Sequence, residues 1–516
     1  MSVALQVGIV VAYLLVALGV GLLAYRLSER TAEDYYLASR SIGTVVLLFT
    51  TFATLLSAFT FFAGPNIAAA FGPEWILVMG LMDGVIFGLL WYVLGYKQWR
   101  LGQKHGYVTL GEMLGDRFGA RWLRGGVAFV SLFWLFPYVM LQQDGAGTAL
   151  NVLTDGAVPF WAGAGLITVF MILYVVLAGM RGVAWTDTLQ GAFMLVVVWT
   201  ALVWVLHSVG GVGAATDAMG TYDGEFLTLG GGFYAVPTFL SNAVGIAFGV
   251  TMFPQVNQRF FVGKSEAVLK RSFVLWPVLV LLLFVPAFLL GAWAGGLGVD
   301  VGSVRNVLPA LLGDHTPSWF AAVVVAGAMA AMMSSSDSML LSGSSYFTRD
   351  LYRPFTGGET DERREDRLGR IGVAAFALST YAMSLYNNSI SGTWSLFRIG
   401  DTAFGGFAQL ALPVAVALYW RRTTRAGVAT GIFASQAFFL LTVFQPETWL
   451  GDVPVVGATL VDAWAPAAGV FASTYFGGWG ANVVGMALGL VLTVGVSLAT
   501  QPAPEEDRSA YALGAD

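Results

Sequence analysis

The sequence predicts an all-α integral membrane protein of thirteen spanning helices, and three observations carry that expectation. The 516 residues are 57% hydrophobic and only 11% charged, with a mean hydropathy of +0.72, where soluble chains carry roughly 25% charged residues. Apolar runs of about 20 residues, the length that crosses a bilayer, recur from one end of the chain to the other. Basic residues gather in alternate connecting segments.

The first run, 4–26, has no Lys or Arg ahead of it, and its first base is Arg26 behind it. A cleavable export signal carries its charge in front, so this run is expected to stay as a spanning helix with its N-terminus outside. Further spans follow at 43–71, 75–96, 122–150, 158–179, 185–207, 233–256, 273–296, 319–347, 371–390, 395–420, 427–445 and 479–499. With that count, loops 26–42, 97–121, 180–184, 257–272, 348–370 and 421–426 share one face with the tail. Together with the helix end at Arg124, that face takes all of the 26 Lys and Arg except Arg305 and Arg398. Lys and Arg mark the cytoplasmic side, which places the chain in the cell membrane with its C-terminus inside. A missed or invented helix would scramble this sorting. The opposite loops are acidic, with Glu74, Asp155, Asp217, Asp300 and Asp452 among them. Such a face is a solvated surface that collects cations only weakly.

The chain has no cysteine, which removes disulfides and thiolate metal sites. Its histidines, His105, His207 and His315, are far apart. No HExxH motif, nucleophile elbow or pair of catalytic carboxylates at helical spacing appears, so an enzyme is not expected. Nothing points to nucleic acid. The tail 501–516 reads as disordered, and no appended soluble domain speaks for a sensor.

Two spans are interrupted. "FTTFATLLSAFTFFAGPNIAAAFG" carries Thr50, Thr51, Thr54, Ser57 and Thr60 before Gly64-Pro65-Asn66; "SNAVGIAFGVTMFPQVNQRF" carries Ser241, Asn242, Gly245, Gly249 and Pro254. Irregular backbone at membrane depth survives where it lines a cavity or binds something. These are the second and seventh spans, so two five-helix units, spans 2–6 and 7–11, each begin with a broken helix. An odd number of helices inverts the second unit, and paired broken helices in inverted repeats are a device of secondary transporters. The expected divisions are 1–42 for the first helix and its loop, 43–210 and 211–426 for the two units, 427–500 for two further helices, and 501–516 for the tail.

"AGAMAAMMSSSDSMLLSGSS" places hydroxyls and a carboxylate inside an apolar span. A lone serine in such a helix bonds the carbonyl one turn back. Adjacent Ser334 and Ser335 beside small Ala330 and Ala331, which let another helix approach, are better placed to share an ion. Sodium, a hard cation, is expected to prefer oxygen, as Ca²⁺ and Mg²⁺ do. The two hydroxyls, the Ala331 carbonyl, and carbonyls freed by unwinding near Ala53 and Leu56 give an uncharged cage.

Several stretches in order resemble the sodium:solute symporter family: "EDYYLASRS", "ATLLSAFTFFAGPN", "YVVLAGMRGVAWTDTLQG", "FPQVNQRFF", "AAMMSSSDSMLLSGSSYFTRDLY" and "GGFAQLALPVAVALYWRRTTRAG". The resemblance covers roughly residues 1–440. It implies thirteen helices with a five-plus-five inverted-repeat, LeuT-like core, and solute import driven by sodium through alternating access. Carried over by motif, the family's sodium site falls on Ala53, Leu56, Ala331, Ser334 and Ser335, and Asp187 in "AWTDTLQG" on the sodium exit path. From position alone Asp187 is equally a carboxylate at a helix N-terminus, favoured by the macrodipole. Ala178-Gly179 departs from the family's Gly-Gly, and Leu55 stands where some members carry Asp or Asn.

Buried ionisable groups are functional candidates; by position these are Asp83, Asp144, Asp337, Arg398 and Asp401. Arg398 either pairs with Asp401 or holds a carboxylate bidentately. Substrate contacts are expected among Phe59, Asn66, Gln142, Gln143, Asn242, Arg398, Thr402 and Gln409, against the commoner role of Asn and Gln in joining helices. "GGFAQLALP" resembles the organic-acid and proline branch. The expected partners are therefore a small carboxylate or zwitterion, sodium as the coupling ion and the lipid bilayer, with no other cofactor. A proton-coupled symporter and a transporter-like sensor are the alternatives.

Overall fold

The computed structural model describes residues 2–26, 36–302, 305–356, 362–390, 394–446, 457–471 and 473–502. Most of the expected tail, 503–516, lies outside them. Among the described residues ten helices are long and apolar enough to cross a membrane, two bent pairs pass together, and Phe160–Val176 is a shorter apolar helix. Position in the bundle follows polarity. The helix Val3–Leu23 has 22% of its most apolar stretch buried and rides the rim, whereas Ser318–Tyr352 has 83% buried and is wrapped on all sides.

The bent pairs are Thr44–Leu55 with Phe59–Phe71, at 62°, and Val236–Thr251 with Pro254–Val262, at 56°. Proline explains the second. Pro254 bars its predecessor from helical geometry; Phe253 accordingly sits at φ −57°, ψ 133°, and Pro254 starts the new segment. In the first pair, Pro65 has no N–H to give one turn back, and the turn before it, Phe59–Ala63, widens to π-type bonding. The break itself falls earlier, at Leu56.

Both breaks are reached by close helix contacts. A side chain at Gly249 would collide with the Phe404 carbonyl, and one at Gly291 with the backbone of Pro65. Small residues at such crossings replace the hydrophobic drive that is missing between helices in lipid. Gly291→Leu is expected to cost about 1–3 kcal/mol by overpacking, read as a lower melting temperature in detergent. An unchanged melting temperature would show that the Gly291–Pro65 contact is not tight.

The expected loop 180–184 is helical instead. Helical bonding runs through Phe160–Val209, yet the chain bends sharply, because the Tyr174 hydroxyl donates to the Gly182 carbonyl at 2.9 Å and also bonds Thr186. Along a straight helix Thr186 would be about 18 Å away. At the basic end of the bundle, Arg124 joins Glu112 at 3.1 Å to Asp350 at 2.7 Å. There Arg40 donates to the Phe261 carbonyl at 3.1 Å and Lys264 N–H to the Ile42 carbonyl at 3.2 Å. The entry to the first broken helix is thereby tied to the exit of the second.

Candidate functional site

Unwinding at Leu56 is visible bond by bond. Leu56 is extended, at φ −80°, ψ 124°. The N–H groups that would have continued the helix turn elsewhere: Ser57 N–H to Thr60 Oγ1 at 3.4 Å, Ala58 N–H to Gln142 Oε1 at 2.8 Å, and Thr60 N–H to the Ser57 carbonyl at 3.0 Å. The carbonyls of Ala53, Thr54 and Leu56 are left without helical partners, at membrane depth, where each such loss costs several kcal/mol.

The serine helix supplies the replacement. Ser334 Oγ lies 2.7 Å from the Ala53 carbonyl oxygen and 3.0 Å from that of Ala331. Ser335 Oγ lies 2.8 Å from the Thr54 oxygen and 2.6 Å from the Leu56 oxygen. All five residues expected from the sequence therefore meet at one point, and Thr54 joins them. Each hydroxyl has one proton for two carbonyls, so spare lone pairs face one another across the junction. These residues are at most 1% exposed. The arrangement is an uncharged set of hard oxygen donors shared by two helices, which suits a monovalent cation held reversibly.

A charged layer lies next to it. Asp187 Oδ2 accepts from Thr50 Oγ1 at 2.6 Å, from Thr54 Oγ1 at 3.3 Å and from Arg259 Nη2 at 3.3 Å, and both ionic side chains are 1% exposed. Arg259 also donates to Ser338 Oγ at 2.5 Å, and Ser338 is 2.9 Å from Thr54 Oγ1. Thr54 thus touches the oxygen cage through its carbonyl and the ion pair through its hydroxyl. Asp187 is not merely a helix-terminus charge. Arg259 was expected as a cytoplasmic loop charge; it is instead buried in the segment Pro254–Val262, held by a carboxylate on another helix.

Beside the break is a cavity walled by Phe59, Thr60, Asp83, Tyr138, Trp276 and Phe404, among others. A second, larger cavity of about 330 Å³ is lined by Asn66, Asp144, Arg305, Trp394 and their neighbours.

The expected substrate residues divide between these places and others. Phe59 lines the first cavity and Asn66 the second, where its side chain is spent on the Arg305 carbonyl at 2.7 Å and Val307 N–H at 3.0 Å. The glutamines are mostly ties. Gln142 caps the broken helix, Gln143 donates to Thr168 and the Ala377 carbonyl at 3.0 Å each, and Gln409 donates to the Asn482 carbonyl at 3.0 Å. Asn242 donates within its own helix, to the Thr238 carbonyl at 3.0 Å. Thr402 is buried but does not line the first cavity.

Arg398 needs correction. The apolar stretch starting near 395 placed it at membrane depth. It is an exposed residue in the first turn of Leu396–Tyr419, its guanidinium 4.2 Å over the Trp394 ring. No ion pair joins it to Asp401 among the described residues, and Asp401 Oδ1 is buried without a partner.

Comparison with known proteins agrees with this architecture. Residues 35–434 match the model of the sodium:solute symporter family. The chain is 28% identical to the sodium/pantothenate symporter of Escherichia coli over 460 residues, covering 87% of this chain and 93% of that one. It is 27% identical to the sodium/proline symporter of the same organism over 460 residues, 85% and 87% of the two chains. Among solved structures, a sodium-coupled sialic acid symporter in a substrate-bound outward-open state superposes with a TM-score of 0.77 at 18% identity, over 97% of this chain and 99% of that one. MhsT in complex with L-phenylalanine gives 0.54 at 11% identity, over 82% and 98%. The fold is that of these LeuT-like sodium symporters.

Proposed function

The chain belongs to the sodium:solute symporter family, and from that premise we propose that it imports a small carboxylate or zwitterion, with sodium held by the carbonyls of Ala53, Leu56 and Ala331 and the hydroxyls of Ser334 and Ser335. It is a multi-pass membrane transporter and not an enzyme, and its activity is sodium-coupled solute symport. The observation that carries the residue assignment is the pair of serine hydroxyls seated on the open carbonyls of the broken helix. An ion there bonds both helices at once. Its binding free energy therefore depends on their separation, which is how a ligand selects one conformation over another. Solute bound beside the same break feels that selection, and the two affinities rise together.

Asp187 lies beyond the cage, linked to it by Thr54, which supports a role on the path by which sodium leaves. The alternating movement is assigned to units 43–210 and 211–426, each beginning with a broken helix, with 1–42 and 427–500 flanking them. The partition of basic residues supports a plasma-membrane orientation with the N-terminus outside and the C-terminus cytoplasmic. Sodium is favoured over a proton as coupling ion because the cage contains no acid; a proton would be carried by one titratable group, not by convergent carbonyls. The E. coli relatives support the solute class, since pantothenate and proline both carry a carboxylate.

The test is uptake into proteoliposomes across a panel of organic acids, amino acids and sugars. An inward sodium gradient is expected to raise the initial rate for an acid or amino acid by about tenfold or more, the equivalent of about 1.4 kcal/mol of coupling. Uptake indifferent to sodium yet driven by a pH gradient would remove the ion assignment and leave the fold.

A further inference from the structure

Among the described residues Asp83 is the one carboxyl group on the wall of the cavity beside the helix break, and nothing in the sodium cage or its charged layer uses it. It is 8% exposed, and its Oδ1 is buried with no hydrogen-bond partner among the described residues. Among the described residues no lysine or arginine lines that cavity. An uncompensated carboxylate at membrane depth is costly and marks a functional position. Asp83 also closes a stretch of π-type helical bonding, Ile76–Asp83, a distortion that recurs at functional sites.

The surroundings specify the charge that would answer it. Phe59 and Phe404 meet edge to face at 4.9 Å, Tyr138 lies 5.3 Å from Phe404, and Phe87 lies 5.2 Å from Trp276. Aromatic faces around a carboxylate favour a desolvated cation bearing carbon substituents over a hydrated metal ion. Trp276 Nε1, on the same wall, is a second polar atom without a partner, a donor free for an acceptor oxygen. The cavity holds about 30 Å³, the share of one water molecule. The walls must part to admit the charged head and the rest of a solute.

We propose that Asp83 receives the positively charged nitrogen of the transported solute, making this symporter selective for zwitterions such as amino acids or betaines over plain carboxylates. The proposal rests on the symport reading and narrows its solute class. Sodium stays with the uncharged cage, and Asp83 acts on the solute alone.

Matched ligand pairs test it. Binding of L-proline against cyclopentanecarboxylate, and of glycine betaine against 3,3-dimethylbutanoate, is measured on the purified full-length protein in sodium, with pantothenate as an amine-free acid. At least one amine-bearing member is expected to bind about tenfold or more tightly than its carbon isostere, the scale of one desolvated ionic contact. In Asp83→Asn that preference is expected to collapse to within about twofold to threefold. Stabilisation of Asp83→Asn by sodium alone, without solute, is expected to persist and shows that the variant folds. An isostere or pantothenate binding as tightly as the amines overturns the proposal, as does a panel in which no amine binds. So does an Asp83→Asn protein that keeps the preference, or one that is folded but blind to sodium. If the variant does not fold, the wild-type pairs still decide. Amine preference without sodium-driven uptake would instead refute the symport reading and leave the Asp83 assignment standing.

Discussion

Replacing Ser334 and Ser335 together by alanine is expected to raise the sodium concentration for half-maximal uptake by about a hundredfold or more, or to abolish sodium dependence altogether. A hydrogen-bonding group facing a charge contributes about 1.5–3 kcal/mol, so two such groups are worth two or more powers of ten. The loss is compounded in the ion-free protein. Without the hydroxyls the Ala53, Thr54 and Leu56 carbonyls have no donors at 0–1% exposure, and the broken helix is freer to re-form or wander. Ser335→Ala alone is expected to be the worse single change, because its hydroxyl serves two carbonyls of the broken helix, whereas Ser334 divides its reach between Ala53 and Ala331 in its own helix. Ser336→Ala is the control. Among the described residues that hydroxyl bonds only the Met332 carbonyl one turn back, at 2.6 Å, and its removal is expected to leave sodium dependence within about twofold, as for an ordinary local serine bond. Equal effects at all three positions, or none at any, would show that the cage does not hold the coupling ion.

Those three serines show what a sequence carries and what it does not. Hydroxyls surrounded by apolar residues announce a buried polar purpose, and small neighbours announce a close helix crossing, so the serine pair and its partner carbonyls were legible. Which serines face the break was implied by the family resemblance. The location of the break is set elsewhere. No glycine or proline stands at Leu56; the helix opens there because Gln142, from a distant helix, takes the Ala58 N–H and Ser335 takes the freed carbonyls. A glutamine looks the same whether it will hold a solute or a backbone, and Gln142, Gln143 and Gln409, which read as substrate contacts, each spend hydrogen bonds on the backbone of the bundle. Arg398 misled for a different reason. Hydropathy averages over a window, so one exposed arginine in the first turn of an apolar helix is drawn into the membrane with the residues that follow it. Arg259 erred the opposite way. Charge sorting assigns an arginine near a helix end to the cytoplasmic surface, and no local pattern reveals a carboxylate 72 positions away in the chain.

That buried pair gives the second large effect. Arg259→Met is expected to cost about 3–5 kcal/mol, because it takes the buried cation from Asp187, a carboxyl group at 1% exposure, the usual outcome of removing one partner of a buried ion pair. Asp187→Asn strands the guanidinium in the same way. The double variant is expected to recover a large part of the loss, since it leaves no buried charge without a partner; a coupling of about 1–3 kcal/mol in the double-mutant cycle is the quantity to measure. Melting temperature in detergent reads the stability. Sodium efflux from loaded proteoliposomes reads function, and here the single and double variants should part company. If the pair only braces the fold, restoring stability restores tight sodium retention. If it also seals the route from the cage, the double variant is stable yet leaks sodium without solute, because Thr50, Thr54 and Ser338 keep their hydroxyls but lose the ions that draw them together. Thr54→Val separates the two roles further. It keeps the carbonyl that faces Ser335 and deletes the hydroxyl that faces Asp187, so a leak in that variant with unchanged sodium affinity places the seal in the hydroxyl layer and not in the cage.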